Sequence, residues 1–140
     1  MFDGTSWGKT LDILQRSMSV NQLRQQVIAN NISNVNTPNF KRSEVTYETA
    51  LRRALESEKE VVPLKGRYTD DKHIRFEKNI DYRDVRPSRV LDFLTTSNAD
   101  GNNVDIEVEA NNYIKEQLRY EMLVESVNHQ FRSMKIVLGG

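Results

Sequence analysis

The sequence predicts an all-α fold in which two long terminal helices pair as an antiparallel coiled coil, joined by a charged middle that is extended or partly disordered. Apolar residues recur every three or four positions near both ends of the chain, as along one face of a helix. Charge is concentrated between them, because residues 41–100 hold 25 of the 40 charged side chains. We therefore divide the chain into residues 1–42, 43–103 and 104–140, with both termini forming one assembly domain.

A first helix is predicted from about residue 8 to residue 35. One apolar stripe has 3–4 spacing interrupted by Asn21 and Gln25, and a second stripe lies beside it. At ~100° per residue, the two stripes cover roughly two thirds of the circumference. A helix with so much apolar surface needs neighbours on several sides. The first stripe contains Leu11, Leu14, Met18, Ile28, Ile32 and Val35, and the second contains Ile13, Val20, Leu23 and Val27.

The last helix, predicted from about residue 105 to residue 138, has the most regular pattern in the chain. Ten positions step by four and three without a break, and nine of them are apolar or aromatic. Asn103 is the expected N-cap, and Gly139 ends the pattern. Such a helix is ~50 Å long, which exceeds the diameter of a compact domain of this chain length. The positions are Ile106, Ala110, Tyr113, Gln117, Tyr120, Val124, Val127, Phe131, Met134 and Leu138.

The middle segment gives weaker signals. Residues 43–58 could form a short helix with Leu51 and Leu55 on one side. From residue 59 to residue 100, the apolar pieces are too short and too charged to predict strands. We interpret this part as a loop ordered by partners, with short extended pieces. The apolar pieces are residues 61–62, 73–76 and 90–94.

Composition excludes several functional classes. The formal net charge is zero, whereas a nucleic-acid-binding protein usually carries a basic patch. No helix face is rich in Lys and Arg, so direct lipid binding is not expected. Without cysteine there is no disulfide and no thiolate. The first nine residues lack a basic region followed by an apolar one, so we expect no cleaved signal peptide.

No candidate site for catalysis, a metal or a cofactor survives inspection. Residues 96–107 partly match a calcium loop, but Thr96 stands where the first acidic ligand belongs, and no helix precedes it. His73 and His129 are far apart in sequence, unlike a regularly spaced zinc set. The acidic pair at residues 70–71 shows no sign of a cleft that would separate the two pKa values. We therefore predict neither an enzyme nor a cofactor.

The most unusual feature is a cluster of asparagines just before Pro38. Residues 29–42 read A-N-N-I-S-N-V-N-T-P-N-F-K-R, with five Asn residues within ten positions. Asparagine disfavours helix interiors unless its amide is hydrogen-bonded. Helix termination at Thr37, Pro38 and Asn39 explains one or two of them. The remainder predict an amide ladder that binds neighbouring chains and sets their register.

This cluster resembles the rod–hook signature of bacterial flagellar axial proteins, A-N-N-I-A-N-x-x-T-P-G-Y followed by a basic pair. Residues 43–47 and the D-G-N-N-V-D turn at residues 100–105 are similar to the proximal rod subunit of that family. Residues 117–120 and 131–135 are similar to its final helix. The resemblance extends over residues 11–55 and 98–138.

Membership in that family would imply a mechanical function. The chain would be a structural subunit of the proximal rod of the flagellar basal body, in the periplasm, transmitting torque. Its expected partners are copies of itself, other rod proteins, a rod-base adaptor, the membrane ring and the type III export apparatus. The pattern alone leaves a self-contained helical hairpin or a coiled-coil dimer open, and the main functional alternative is a cytoplasmic coiled-coil adaptor or export chaperone.

We accordingly predict two sets of functional residues. The expected assembly interface consists of Leu11, Leu14, Met18, Ile28, Asn30, Asn31, Ile32, Asn34, Asn36, Tyr113, Tyr120, Val124, Val127, Phe131, Met134 and Leu138. The expected helix-stop and turn residues are Thr37, Pro38, Asn39, Asp100, Gly101, Asn102 and Asn103.

Overall fold

The computed structural model describes residues 5–59, 79–93, 95 and 102–139 of this chain. These residues are mostly helical, and the two longest elements are the terminal helices. The elements in chain order are α1 (Ser6–Ser33), β1 (Ser43–Thr46), α2 (Glu48–Ser57), a 3₁₀ turn (Tyr82–Asp84), β2 (Ser88–Leu91) and α3 (Ile106–Val137).

The terminal helices were predicted to within about two residues, with one error in the capping. Asp105, and not Asn103, is the N-cap of α3, since its Oδ1 accepts hydrogen bonds from the backbone N–H groups of Glu107 (2.9 Å) and Val108 (3.2 Å). Thr5 caps α1 in the same way by accepting from the N–H of Gly8 at 3.1 Å. The side-chain oxygen of an N-cap satisfies N–H groups that have no partner inside the helix.

The all-α prediction is wrong, because β1 and β2 form a two-stranded sheet. The predicted helix at residues 43–58 begins as a strand in which Ser43 and Val45 are buried while Glu44 and Thr46 are exposed. This alternation has the two-residue period of a strand, and the helical period starts only with α2. Every residue of β2 is exposed, so its sequence has no alternation from which a strand could be predicted.

Contacts divide the chain into two units, Met1–Val45 with Arg89–Gly140, and Thr46–Ser88. In the second unit, α2 packs against the 3₁₀ turn, and the buried residues include Leu51, Ala54 and Tyr82. The hydroxyl of Ser57 also accepts a hydrogen bond from the N–H of Ile80 at 3.1 Å. The described part of this unit therefore combines a short apolar core with a hydrogen bond between Ser57 and Ile80.

In the first unit, α1 and α3 pack side by side and run in opposite chain directions. Near the start of α1, the ring of Trp7 meets the ring of Phe131 edge to face, with centroids 5.9 Å apart. Near its end, Asn31 contacts Glu109, which lies in the first turn of α3. Later residues of α1 therefore contact earlier residues of α3, so the two helices run antiparallel. None of the helices within the described ranges is long and apolar enough to cross a membrane.

The turn after α1 is closed by a residue from the other end of the chain. The Asn102 side chain is fully buried, and its Nδ2 donates to the carbonyl oxygens of Asn34, Val35 and Thr37 at 2.8–3.1 Å. Asn39 has a φ of 58°, a left-handed conformation that asparagine tolerates. The segment before α3 therefore adds side-chain hydrogen bonds to three carbonyls of the turn after α1.

The companion residue Asn103 joins three segments. Its Oδ1 accepts from the N–H of Arg42 at 2.7 Å, and its Nδ2 donates to the carbonyl of Asp92 at 2.7 Å. The N–H of Asp92 in turn donates to the carbonyl of Arg42 at 2.8 Å. Of the predicted turn residues, Asp100 and Gly101 lie outside the described residues, as do the acidic pair at 70–71 and the apolar pieces at 61–62 and 73–76.

We predict that Asn102→Ala lowers the free energy of unfolding by about 1–3 kcal/mol, because the turn after α1 loses the three hydrogen bonds that the buried Asn102 amide donates. Urea denaturation followed by circular dichroism measures this loss. The matched control is Asn36→Ala, the same change at an exposed position of the same turn, and it should stay within about 0.5 kcal/mol of the parent. Equal effects of the two substitutions would contradict the capping role of Asn102.

Candidate assembly interface

The predicted interface residues occupy three different environments. Asn31 is buried, most of the apolar members are half-buried, and a few are exposed. The half-buried members are Leu11, Leu14, Met18, Ile28, Ile32, Asn34, Tyr113, Tyr120, Val124, Val127 and Met134, and the exposed members are Asn30, Asn36, Phe131 and Leu138. The predicted turn residues Thr37, Pro38 and Asn39 are exposed, whereas Asn102 and Asn103 are buried.

Asn31 makes all its hydrogen bonds inside the chain. Its Nδ2 donates to the carbonyl of Ser43 and to Oε2 of Glu109, both at 2.9 Å, and its Oδ1 accepts from the N–H of Ser43 at 3.1 Å. The side chain is 0% exposed, so these bonds replace all of its contacts with water. One amide thereby joins α1, β1 and α3, where the sequence predicted a ladder between neighbouring chains.

Glu109 is the second member of this buried group and is only 1% exposed. Its Oε1 accepts a hydrogen bond from Nε of Arg42 at 2.6 Å, while its Oε2 receives the amide of Asn31. Arg42 also pairs with Glu44. A buried carboxylate is costly without compensation, and here each of its oxygens has a donor.

The environment of Arg42 affects its own ionisation. Burial alone lowers the pKa of the guanidinium, but the hydrogen bond from Arg42 to Glu109 and the charges of Glu109 and Glu44 outweigh it and raise the pKa. A cation whose pKa is raised by folding contributes stability below its unfolded pKa and loses it only as the pH rises through the folded pKa. Because both values lie far above neutral pH, Arg42 stays charged in ordinary buffers.

A second polar contact crosses the helix pair seven residues further along α3. Nδ2 of Asn21 donates to Oε2 of Glu116 at 2.7 Å, and Gln25 donates from its Nε2 to Oδ1 of Asn21 at 3.0 Å. Asn21 and Glu116 are both buried, and the other carboxylate oxygen of Glu116 accepts from Arg119 at 2.7 Å. We call the two contacts, Asn31–Glu109 and Asn21–Glu116, the polar ladder.

The carboxylates of the polar ladder were missed in the sequence. Neither Glu109 nor Glu116 belongs to the ten-position apolar pattern predicted for the last helix. Their seven-residue spacing was a usable signal, since it places both on the same face of α3. Each glutamate immediately precedes a position of that pattern, Ala110 or Gln117. The buried face of α3 is therefore rotated from the predicted apolar stripe toward the two glutamates.

The outward face of α3 carries exposed apolar side chains. Ile114 is 54% exposed, Leu118 is 55% exposed and Met122 is 70% exposed. Their four-residue spacing aligns them on one face, at roughly 120–180° from Glu109 and Glu116 at ~100° per residue. Further exposed apolar residues lie at its end, at Ile136 and Val137. We call Ile114, Leu118 and Met122 the α3 ridge.

The contacts that the structure describes at this surface are hydrogen bonds, charge pairs and packing contacts. No group of three His, Cys, Asp or Glu side chains that could hold a metal occurs among the residues with a described position. His129 is exposed on α3, and His73 lies outside the described residues.

Comparison with known proteins identifies the family. A family model described as Flagella basal body rod protein matches residues 11–41. A flagellar basal body rod protein FlgB of Borrelia hermsii is 44% identical over 131 residues, which cover 92% of this chain and 95% of the relative. The chain belongs to the FlgB family of flagellar basal body rod proteins. Proteins of the same name from Borreliella burgdorferi (40% over 132 residues; 93% and 96% covered) and Bacillus subtilis (34% over 131 residues; 94% of each covered) agree.

Membership confirms the resemblance predicted from the asparagine signature and the last helix. The chain is a structural subunit of the proximal rod of the flagellar basal body, part of the motility apparatus, and not an enzyme. The cytoplasmic adaptor or export chaperone is not favoured.

We predict that Glu109→Ala destabilises the chain by about 3–5 kcal/mol, because it leaves Arg42 and Asn31 without their shared acceptor. Urea denaturation measures the change in the midpoint. Glu109→Gln keeps the volume and one acceptor oxygen, so it should cost less. Glu121→Ala, at an exposed position of the same helix, is the control and should change stability by no more than about 0.5 kcal/mol. A Glu109→Ala effect as small as that of the control would refute the structural role of the polar ladder.

Proposed function

We propose that this subunit enters the proximal rod through its terminal helices and transmits torque there as part of the drive shaft. The observation that carries the proposal is the α3 ridge, whose three large apolar side chains are all more than half exposed. A soluble monomer gains nothing from such a surface, whereas an assembled subunit buries it against a neighbour.

We propose that the two terminal helices act as one assembly domain, an antiparallel coiled coil formed by residues 1–42 and 104–140. Support comes from the polar ladder, since amide–carboxylate pairs in a helix seam specify which residues face each other. A torque-bearing pair needs a defined register, because slippage between the helices would dissipate the load.

The asparagine signature then has two roles. Asn31 is proposed to act from inside, by holding α1 against β1 and α3 at 2.9 Å from Ser43 and Glu109. Asn30 and Asn36 are exposed, and they remain our candidates for hydrogen bonds to neighbouring subunits. Asn34 is half-buried, and its Nδ2 donates to the carbonyl of Asn30 at 2.8 Å, which stabilises the end of α1.

The proposed partners are copies of this chain, other rod proteins, the rod-base adaptor, the membrane ring and the export apparatus. The proposed location is the periplasmic rod, reached by type III export without a cleaved signal peptide. These statements rest on the family, together with a chain that has no cysteine and a net charge of zero. We propose no binding of nucleic acid and no direct binding of lipid.

A double substitution on the α3 ridge tests this function. We predict that Leu118→Ser with Met122→Ser, introduced into the source bacterium, reduces incorporation into purified basal bodies at least tenfold and abolishes swimming. The isolated chain should keep its unfolding midpoint, because both side chains are exposed. Quantitative mass spectrometry of basal bodies and urea denaturation provide the two measurements.

The control removes polar side chains from the same helix. Lys115→Ser with Glu121→Ser, also at exposed positions, should leave incorporation and swimming unchanged. If the ridge variant is incorporated normally, the α3 ridge is not an assembly surface. If the parent chain itself is absent from basal bodies, the proposed function fails.

A further inference from the structure

The sheet of β1 and β2 has two outer edges, and side chains of α1 close the edge along β1. The amide of Asn31 donates to the carbonyl of Ser43 at 2.9 Å and accepts from its N–H at 3.1 Å, as the backbone of a further strand would. The guanidinium of Arg24 donates to the carbonyl of Val45 from Nε at 3.3 Å and from Nη2 at 3.2 Å. The outer edge of β1 is therefore occupied by the chain itself.

The two strands are antiparallel, which determines where the backbone groups of β2 point. At one end of the sheet, the N–H of Asp92 donates to the carbonyl of Arg42 at 2.8 Å. At the other end, the hydroxyl of Thr46 donates to the carbonyl of Ser88 at 3.4 Å. Later residues of β1 therefore lie opposite earlier residues of β2. In such a ladder, the backbone groups of every second residue face the partner strand, and those of the residues between them face away.

The outer edge of β2 is open. Because the N–H of Asp92 faces β1, the backbone groups of Val90 also face β1, and those of Arg89 and Leu91 face away. Within the described ranges, no residue hydrogen-bonds to the N–H or the carbonyl of Arg89 or Leu91. All four residues of β2 are exposed. This sheet can therefore gain a third strand along β2, by the pairing with which extended peptides bind to exposed sheet edges.

Apolar side chains surround this edge. Val90 is 48% exposed, Leu91 is 46% exposed and Phe93 is 67% exposed. Together with Glu44 and Asp92 they line an open cavity of about 480 Å³. Exposed edge strands usually carry charged residues or proline, which prevent pairing with other chains. An open edge with three exposed apolar side chains is instead suited to pairing.

The acidic side of the cavity favours a basic side chain in the partner. Arg42 lies among three carboxylates, those of Glu109 at 2.6 Å, Glu44 at 2.5 Å and Asp92 at 3.9 Å. With one positive and three negative charges, these four side chains carry a net charge of −2. The side chain of Glu44 is 54% exposed, so part of this negative charge is accessible at the cavity.

Two nearby side chains leave this charge in place. Thr95 donates to the carboxylate of Asp92 from its N–H at 3.2 Å and from its hydroxyl at 2.6 Å, and both donors are uncharged. Arg89, the charged residue of β2, donates to the hydroxyl of Ser43 at 3.0 Å. Because successive side chains of a strand point to opposite faces, the Ser43 face is not the face of Glu44. A cation from a partner can therefore approach Glu44.

We propose that the outer edge of β2 binds an extended segment of another rod subunit in which a Lys or Arg is flanked by apolar residues. The backbone of that segment pairs with Arg89 and Leu91. Its cation lies over Val90 and reaches Glu44, which is ~10 Å away because neighbouring strands are ~4.8 Å apart. Its apolar residues point to the other face and pack on Leu91 and Phe93. The inference rests on the proposed assembly function and adds a second contact surface, separate from the α3 ridge.

Amide hydrogen exchange followed by NMR tests the strand pairing residue by residue on the purified chain. The probe is a synthetic heptapeptide, S-T-V-R-V-T-S, at millimolar concentration. We expect it to slow the exchange of the N–H groups of Arg89 and Leu91 at least threefold. The N–H groups of Val90 and Asp92 face β1 already and should not change. The control peptide S-T-V-E-V-T-S, with Glu in place of Arg, should protect none of them.

Leu91→Pro tests the same edge in the assembled rod. Proline removes the outward N–H of residue 91 and leaves the hydrogen bonds between β1 and β2, so an edge strand tolerates it there. Incorporation into basal bodies in the source bacterium should fall at least tenfold, while the unfolding midpoint of the purified chain stays unchanged. Leu91→Ala keeps the N–H and is the matched control, which should be incorporated better than Leu91→Pro.

The outcomes separate the two proposals. If the Arg peptide protects neither Arg89 nor Leu91, or if the Glu peptide protects them equally, the edge inference is wrong and assembly through the α3 ridge stands. Normal incorporation of Leu91→Pro would also overturn the inference. If Leu91→Pro lowers the unfolding midpoint, the exchange experiment on the parent chain decides. If the parent chain is absent from basal bodies, the assembly function itself fails.

Discussion

The terminal unit depends on one buried contact, the pairing of the Asn31 amide with the Glu109 carboxylate. The same amide also donates a hydrogen bond to the backbone carbonyl of Ser43, and the same carboxylate also accepts a hydrogen bond from Arg42. Sliding α1 along α3 by a single residue would turn the amide away and leave a buried anion unpaired. The contact therefore determines the register of the helix pair and the point at which the chain leaves α1 to form β1.

The distribution of polar and apolar side chains between the interior and the exterior of this helix pair is uncommon. Polar groups that specify register are inside, at Asn21, Asn31, Glu109 and Glu116, while large apolar side chains of α3 are outside. Polar pairs add specificity more than stability, since their desolvation offsets much of their attraction. The subunit can thus reach the correct pairing by itself and draw further stabilisation from the neighbours that cover the α3 ridge.

The parts of the structure that could be predicted depend on interactions between residues close in sequence. The parts that could not be predicted depend on contacts between residues far apart in sequence. The long helices were predicted correctly because their apolar spacing is local, although the N-cap of α3 is Asp105 and not Asn103. The sheet was missed because β2 is wholly exposed and is specified only by its pairing with β1. The asparagine cluster was recognised as functional, but the partners of Asn31 lie 12 and 78 residues away, beyond any local pattern.

By itself the sequence determined the positions of the terminal helices, the charged middle, the end of α1 before Pro38 and the family, because each follows from neighbouring residues or from a contiguous motif. Only the tertiary structure decided which face of each helix is inside. The apolar spacing of α3 allowed several rotations, and the buried pairs of Glu109 and Glu116 with asparagines of α1 selected one of them. That choice leaves the α3 ridge on the surface, because an unpaired buried carboxylate costs more than an exposed leucine.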